Sequence, residues 1–257
     1  MTVHANQDPL RSHEPDFLLP PDEVHIWQTE LTAPKDSMDS LLPLLEPEEL
    51  QRASRYKVKH AYDEFVLSRA FLRQVLAVYL KIGASEVRFR TTSYGKPELA
   101  GSSDLRFNLS HSEGVAVIAI VRGREVGIDV ERIRDELNAL ELADRFFSAP
   151  EVTWLRSLPI ADRSSSFFAC WTAKEAYVKA HGEGLALPLS DFSVIPRSIT
   201  SELPWEKLQL EVFGNAKESK RWSMWQLDLG TDVRAALAIE GQDCRLRLGQ
   251  WAISGKQ

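Results

Sequence analysis

Apolar residues recur along this chain with two periods, and the switches between them mark out its elements. A short apolar stretch at Val24–Trp27 reads as the first strand. Glu46–Tyr56 reads as a helix, with Pro47 suited to its first turn. Ala61–Leu80 reads as a longer helix. Phe65, Leu72, Val75, Leu76 and Tyr79 recur there at helical spacing, and Gly83 follows its end. Strands are predicted near Val87–Arg90, Arg106–Leu109 and Val115–Val121. The last is a nearly continuous apolar run, the pattern of a strand buried on both faces.

A second cycle opens after Gly123. Glu125–Glu131 is a strand, and helices follow near Ala139–Phe146, Pro150–Ser157 and Ser166–His181. Further strands are predicted near Phe192–Val194, Leu208–Phe213, Trp222–Asp228 and Val233–Ile239. Strand, helices and strands thus run through twice, without a residue-level repeat. The expectation is an α+β fold of two similar halves, residues 21–123 and 124–241, with a ligand-binding cleft between them. Residues 1–20 are polar and aperiodic and read as a flexible tail, and 242–257 read as a C-terminal tail.

Composition narrows the class. The 257 residues are 44% hydrophobic and 26% charged, enough for a proper core. No apolar run approaches the roughly 20 residues of a membrane span. The opening MTVHANQDPLRSHEPDF lacks the apolar centre of a secretory signal. Two cysteines, Cys170 and Cys244, make no disulfide framework and no CxxC. These features predict a reduced, cytoplasmic protein. The net charge of −6 argues against nucleic-acid binding. Locally the balance reverses. Arg52, Arg55, Lys57, Lys59, Arg69 and Arg73 stand against Asp63 and Glu64, as a solvated helix face or as a phosphate-binding surface.

Three segments carry candidate chemistry. In VGIDVER (126–132), the two-residue period puts Gly127, Asp129 and Glu131 on one strand face and Val126, Ile128 and Val130 on the other. Adjacent carboxylates repel unless a cation or proton lies between them, and a hard divalent ion suits them. The plainer alternative is an exposed face paired with Arg132 or Arg134. In residues 167–185, Phe167, Trp171, Glu175 and Lys179 fall at successive i+4 positions of a helix. Glu175 there shares a stripe with two aromatics, where a carboxylate needs a metal, a partner or a proton. Lys179 is the local candidate partner. In residues 94–114, Lys96 sits in a Gly-Lys-Pro turn, and Asn108, Ser110 and His111 end a strand. No acid completes a hydrolase triad, and these donors suit phosphate oxygens.

Together these segments resemble the surfactin-synthetase type of 4′-phosphopantetheinyl transferase. The matching pieces are YGKP (94–97), FNLSHS (107–112), GIDVE (127–131), FFSAPE (146–151), WTAKEAYVKAHGEGLALPL (171–189) and DFSV (191–194). The clear match spans about 46–194, and the last 60 residues match only in being strand-rich. The resemblance implies a pseudo-twofold α+β duplication with coenzyme A in the cleft between the halves. It implies Asp129, Glu131 and Glu175 as ligands of Mg²⁺, with Mn²⁺ as an alternative, and Lys179 on the coenzyme A phosphates. Ser110 and His111 would meet the 3′-phosphate end, and Lys96 the adenine side or a phosphate. Arg52 and Arg69 would bind phosphate, whereas Glu49 stands where some relatives carry a basic residue.

The reaction so implied is attack by a serine of an apo acyl or peptidyl carrier protein on the β-phosphorus of coenzyme A. Adenosine 3′,5′-bisphosphate leaves, and Glu175 or a metal-bound water takes the serine proton. The resemblance also implies an acidic helix on the carrier, in fatty-acid, polyketide or peptide-synthetase pathways. Since this chain is itself acidic, docking needs a local basic or apolar patch, and exposed parts of 134–156 are the candidate region. A monomer is expected, since one chain holds both halves. The competing classes are a Mg²⁺-dependent phosphohydrolase and a non-catalytic coenzyme A-binding protein. No P-loop or Rossmann glycine fingerprint supports a standard nucleotide enzyme.

Overall fold

The computed structural model describes residues 17–32, 38–196 and 203–254. Residues 1–16 of the expected N-terminal tail and 255–257 of the C-terminal one lie outside the described residues. In chain order the first elements are β1 (Glu23–Glu30), α1 (Pro47–Ala53), α2 (Lys59–Leu80), β2 (Phe89–Thr91), β3 (Pro97–Leu99), β4 (Leu105–Ser112) and β5 (Val115–Arg122). There follow β6 (Val126–Arg132), α3 (Ala139–Phe146), α4 (Ala149–Ser157) and α5 (Ile160–His181). The chain continues through β7 (Phe192–Val194), β8 (Trp205–Leu208), β9 (Leu210–Val212), α6 (Ala216–Arg221), β10 (Trp222–Leu227), β11 (Val233–Glu240) and β12 (Arg245–Gln250).

Two four-stranded sheets dominate, in the orders β12-β1-β5-β4 and β6-β11-β10-β8. The apolar run of β5 is buried on both faces, as its pattern predicts. Ala116, Ile118 and Ile120 pack with Trp27, Phe107 and the α2 residues Phe71, Leu72, Val75 and Leu76. Val117, Ala119 and Val121 pack instead with Ile128 and Val130 of β6 and Leu237 and Ile239 of β11. Beyond the second sheet, Ala236 and Ala238 meet Ala173, Ala176 and Tyr177 of α5. The layers therefore run α2, first sheet, second sheet, α5. A fourth cluster joins α3, α4 and the first half of α5 through Ala143, Leu155, Phe167 and Phe168.

Local chemistry sets the helix ends. In α4, Ser148 and Glu151 form a capping box, with Glu151 Oε2 accepting from Ser148 N at 2.9 Å. At the end of α5, Gly182 adopts φ 84°, the left-handed conformation that stops a helix.

Three expectations differ from the structure. Arg245–Gln250, expected within a C-terminal tail, forms β12 and pairs in parallel with β1 of the first sheet. Trp251 then packs edge-on against Trp27 at 5.5 Å. The single strand expected over Leu208–Phe213 is two strands: β8 pairs with β10, and β9 with β7. At the other end, Leu19 from the expected N-terminal tail is buried in the first core.

Candidate active site

The close approach of β6 and α5 builds the site. A Cβ on Gly127 would lie 2.1 Å from Ala176 O and 2.3 Å from Ala180 N, so only glycine lets the strand and helix touch there. Asp129 and Glu131 share the Gly127 face of β6, while Glu175 and Lys179 stand on α5. The ammonium of Lys179 reaches across. It donates to Asp129 Oδ1 at 2.5 Å, Ser110 Oγ at 3.0 Å and Ile128 O at 3.4 Å. The expected i,i+4 partner Glu175 receives no hydrogen bond from it. The alternative pairing on β6 is seen only in part: Arg134 lies 3.5 Å from Glu131 Oε2, while Arg132 pairs with Asp232.

A second set of side chains stitches the two sheets together. β4 and β6 are edge strands of different sheets, with no main-chain ladder between them. Asn108 Oδ1 accepts from Ile128 N at 2.8 Å. Ser110 Oγ and Ser112 Oγ accept from Val130 N and Arg132 N, each at 3.4 Å. The same two hydroxyls donate to Asp129 Oδ1 and Glu131 Oε2, each at 2.8 Å. Alternate residues of β4 thus cover the open edge of β6 and orient its carboxylates.

The electrostatics disfavour three bare carboxylates. Burial pushes the Glu175 carboxyl up, Asp129 and then Glu131 add to this, and Lys179 opposes it. Burial also raises Glu131, the Ser112 hydrogen bond lowers it and Asp129 raises it again. Asp129 is 3% exposed, and its Oδ2 is buried without a hydrogen-bond partner. An orphaned buried oxygen and two raised carboxyls form a donor set that fits a hard divalent cation. Among the described residues, no three such groups converge as a ready-made metal cluster. A cation, the Lys179 ammonium, already stands at Asp129.

The expected phosphate contacts divide into two groups. His111 is exposed near the end of β4. Desolvation there lowers its basicity, Glu64 opposes this, and Lys179, Arg69 and Arg52 lower it further. The fold thus gathers His111, Arg52, Arg69 and Lys179 into one positive field. Within it Arg69 pairs with Glu49 at 2.5 Å, and Glu49 also holds the buried Arg73 at 2.8 Å. Lys96 lines the adjoining pocket. Its ammonium donates to Glu125 Oε2, Val126 O and Ala180 O at 2.9–3.3 Å, tying its turn to the end of α5. Ser110 likewise faces Asp129, while His111, the next residue on the strand, points to the opposite face.

A pocket of about 820 Å³ opens beside these groups. Tyr94, Phe146, Trp171, Glu175, Lys179 and Leu189 are among its walls. The i+4 stripe read from the sequence therefore faces this cavity through Trp171, Glu175 and Lys179.

Comparison with known proteins bears on this geometry. Over 230 residues the chain is 36% identical to the 4′-phosphopantetheinyl transferase HetI of Nostoc sp., covering 88% of this chain and 92% of the relative. The chain belongs to the 4′-phosphopantetheinyl transferase family. The model of the 4′-phosphopantetheinyl transferase superfamily matches residues 125–238, and that of the 4′-phosphopantetheinyl transferase N-terminal region matches 29–122. The transferase Sfp of Bacillus subtilis is 32% identical over 160 residues, 62% of this chain and 70% of the relative. The transferase gsp of Aneurinibacillus migulanus is 40% identical over 146 residues, 56% of this chain and 59% of the relative. The family match thus runs well past residue 194, where the motif resemblance ended. Among the described residues, no helix of this transferase is long and apolar enough to cross a membrane.

Sequence reading names Asn108 as a strand end but passes over Ser112, although both belong to the quoted FNLSHS motif and lie two residues from Ser110. Lys174 and Glu151, a buried ion pair between α5 and α4, are also passed over. A lysine beside an apolar stripe reads as solvent-facing, yet Lys174 is fully buried.

Proposed function

We propose that this transferase moves the 4′-phosphopantetheine arm of coenzyme A onto a serine of an apo acyl or peptidyl carrier protein, releasing adenosine 3′,5′-bisphosphate. The observation that carries this reading is the meeting of Asp129, Glu131, Glu175 and Lys179 between β6 and α5, beside the pocket. Asp129, Glu131 and Glu175 would hold a magnesium ion, with manganese as an alternative. Bound there, the ion would supply positive charge for the pyrophosphate oxygens.

The chain's own groups do the rest. Glu175 takes the proton of the attacking serine. Burial and the neighbouring Asp129 raise its carboxyl pKa in the metal-free chain; an ion bound there would oppose this, and water on that ion is the rival acceptor of the proton. The serine oxygen forms a bond to the β-phosphorus, and the bond to the adenosine bisphosphate oxygen breaks with its electron pair. Lys179 shares the charge on the phosphates. His111, Arg52 and Arg69 provide the positive field for the 3′-phosphate end. Ser110 orients Asp129, and Lys96 positions the pocket wall through Glu125 and Ala180. Phosphoryl transfer needs this positioning and charge neutralisation more than covalent help from the protein.

We read the architecture as a pseudo-twofold duplication. α2 and α5 are both 22 residues long, and each lies on one four-stranded sheet. The halves are 21–123 and 124–241, with β12 returning to the sheet of the first. Walls of the pocket come from both halves of one chain, which supports a monomer; the cytoplasm is the compartment proposed for it. The acidic chain meets its carrier through the 134–156 region, where Arg145 stands at the pocket rim.

Chromatography of a reaction with coenzyme A and an apo carrier tests this reading. Adenosine 3′,5′-bisphosphate should form one-for-one with modified carrier. Release without carrier modification would instead indicate a hydrolase.

A further inference from the structure

Lys174 and Glu151 form an ion pair whose two side chains are both completely enclosed. The Lys174 ammonium donates to Glu151 Oε1 and Oε2 at 2.7 Å each and to Phe192 O at 2.8 Å. Its three N–H groups are thereby satisfied. Glu151 Oε1 also accepts from Val194 N at 2.7 Å, and Oε2 from Ser148 N and Ser148 Oγ at 2.9 and 2.8 Å. The ammonium sits 4.2 Å from the centre of the Phe192 ring. One turn earlier on α5, Cys170 Sγ contacts Val194 O at 3.4 Å. This network ties α5 to the first turn of α4 and to β7, and it has no access to the pocket.

Its position on α5 gives it a consequence for the site. Lys174 and Glu175 are consecutive, about 100° apart around the helix. Glu175 and Lys179 are one turn apart on the same side. Gly127 fixes how closely α5 approaches β6, and Tyr177 packs against Phe192 and Trp222. Lys174 adds to this apolar packing a charged tie of defined length and direction.

We propose that the Lys174–Glu151 pair is a positioning device that sets the rotation of α5 and so places Glu175 and Lys179 against Asp129. The assignment of a catalytic consequence rests on the proposed transfer reaction. Buried ion pairs are often no more stabilising than apolar substitutes, so stability alone gives this pair little reason to be ionic. A lock of defined length and direction does. Displacement of a reacting group by about 1 Å can cost about 100-fold in rate.

The test compares Glu151→Asp with Lys174→Met. The aspartate keeps both charges and draws the anchor back by one methylene, whereas the methionine removes the lock. Carrier modification is measured for each variant well below its own melting temperature. The expected result is a kcat lowered about 10-fold in Glu151→Asp, and about 100-fold in Lys174→Met, with coenzyme A KM unchanged. Cooling further should not restore it. Wild-type kcat in both variants once folded would overturn the proposal, and Glu151→Asp decides if Lys174→Met does not fold. A crystal structure of Glu151→Asp reports on the lock without turnover, so it stands even if the transfer reading fails. Rotation of α5 that carries Lys179 away from Asp129 is expected, and an unmoved Lys179–Asp129 contact would contradict the lock.

Discussion

The Lys179 ammonium lies 2.5 Å from Asp129 Oδ1 and bridges from α5 to β6 at the centre of the site. Asp129 is the more enclosed partner, with 5% of its side chain exposed against 29% for Lys179. A divalent ion bound as proposed would compete with this ammonium for the same carboxylate. Replacing Lys179 with Met should therefore tighten Mn²⁺ binding to the protein free of coenzyme A, by about 10-fold if one charge repulsion of about 1.4 kcal/mol is removed. Electron paramagnetic resonance titration of free Mn²⁺ measures this directly. The same variant should transfer more slowly, since it lacks the charge facing the phosphates. Unchanged or weaker Mn²⁺ binding would show that Lys179 and the ion do not share Asp129.

Glu175→Gln separates proton transfer from binding. The amide keeps the size of the side chain and removes its basicity. It should lower kcat by about 10²–10⁴-fold, the usual range for a general base, while coenzyme A affinity changes far less. Single-turnover kinetics beside calorimetric titration of coenzyme A give the two numbers. Equal losses in both would remove the base role.

Gly127→Ala strikes the contact between β6 and α5. The new methyl would meet backbone atoms of Ala176 and Ala180, which cannot swing aside as a flexible side chain can. The strand and helix must separate, at a cost of about 1–3 kcal/mol. Melting should fall by about 2–4 °C for each kcal/mol in a chain of this size. Activity should fall further than stability, since Lys179 and Asp129 sit on the two separated elements. Wild-type melting would contradict this contact.

His25 makes stability depend on pH. It is buried on β1, and Trp27 Nε1 donates to Tyr79 OH at 2.8 Å. The Tyr79 hydroxyl lies 2.7 Å from His25 Nδ1, and Nε2 lies 3.1 Å from Glu23 Oε2. With the hydroxyl proton directed at Nδ1, the neutral ring carries its own proton on Nε2 towards Glu23. Burial lowers the pKa of His25, Glu23 opposes this, and Arg247 adds to it. The unfolded chain therefore takes up this proton first as pH falls. The contribution of His25 to stability is full above about pH 6.5 and is lost as pH falls through the lower folded value. Melting should drop between pH 7.5 and 5.5 in the native chain, and by less in His25→Gln. An identical drop in both would assign it to other groups, His111 among them.

Much of this was legible from local periodicity. The two-residue alternation of VGIDVER put Asp129 and Glu131 on one face, because the opposite face had to meet the core. The i+4 stripe brought Trp171, Glu175 and Lys179 to one side of α5. What local spacing could not supply was the partner across a gap. Lys179 lies four residues from Glu175, yet Gly127 lets β6 come close enough for Asp129 to take the ammonium. Lys96 reads as a free lysine in a turn until α5 delivers Ala180 O from 84 residues away. β12 alternates as Arg245, Leu246, Arg247, Leu248, a strand pattern in itself. Its partner β1 lies at the far end of the chain, and its arginines look like a solvated tail.

The central claim is group transfer at the Asp129–Glu131–Glu175 site. The measurement is the intact mass of purified apo carrier proteins incubated with this transferase and coenzyme A, with Mg²⁺ or with EDTA. A gain of about 340 Da, one phosphopantetheine arm from the reaction above, is predicted with Mg²⁺ and not with EDTA. No gain on any carrier, with coenzyme A left intact, would contradict the account.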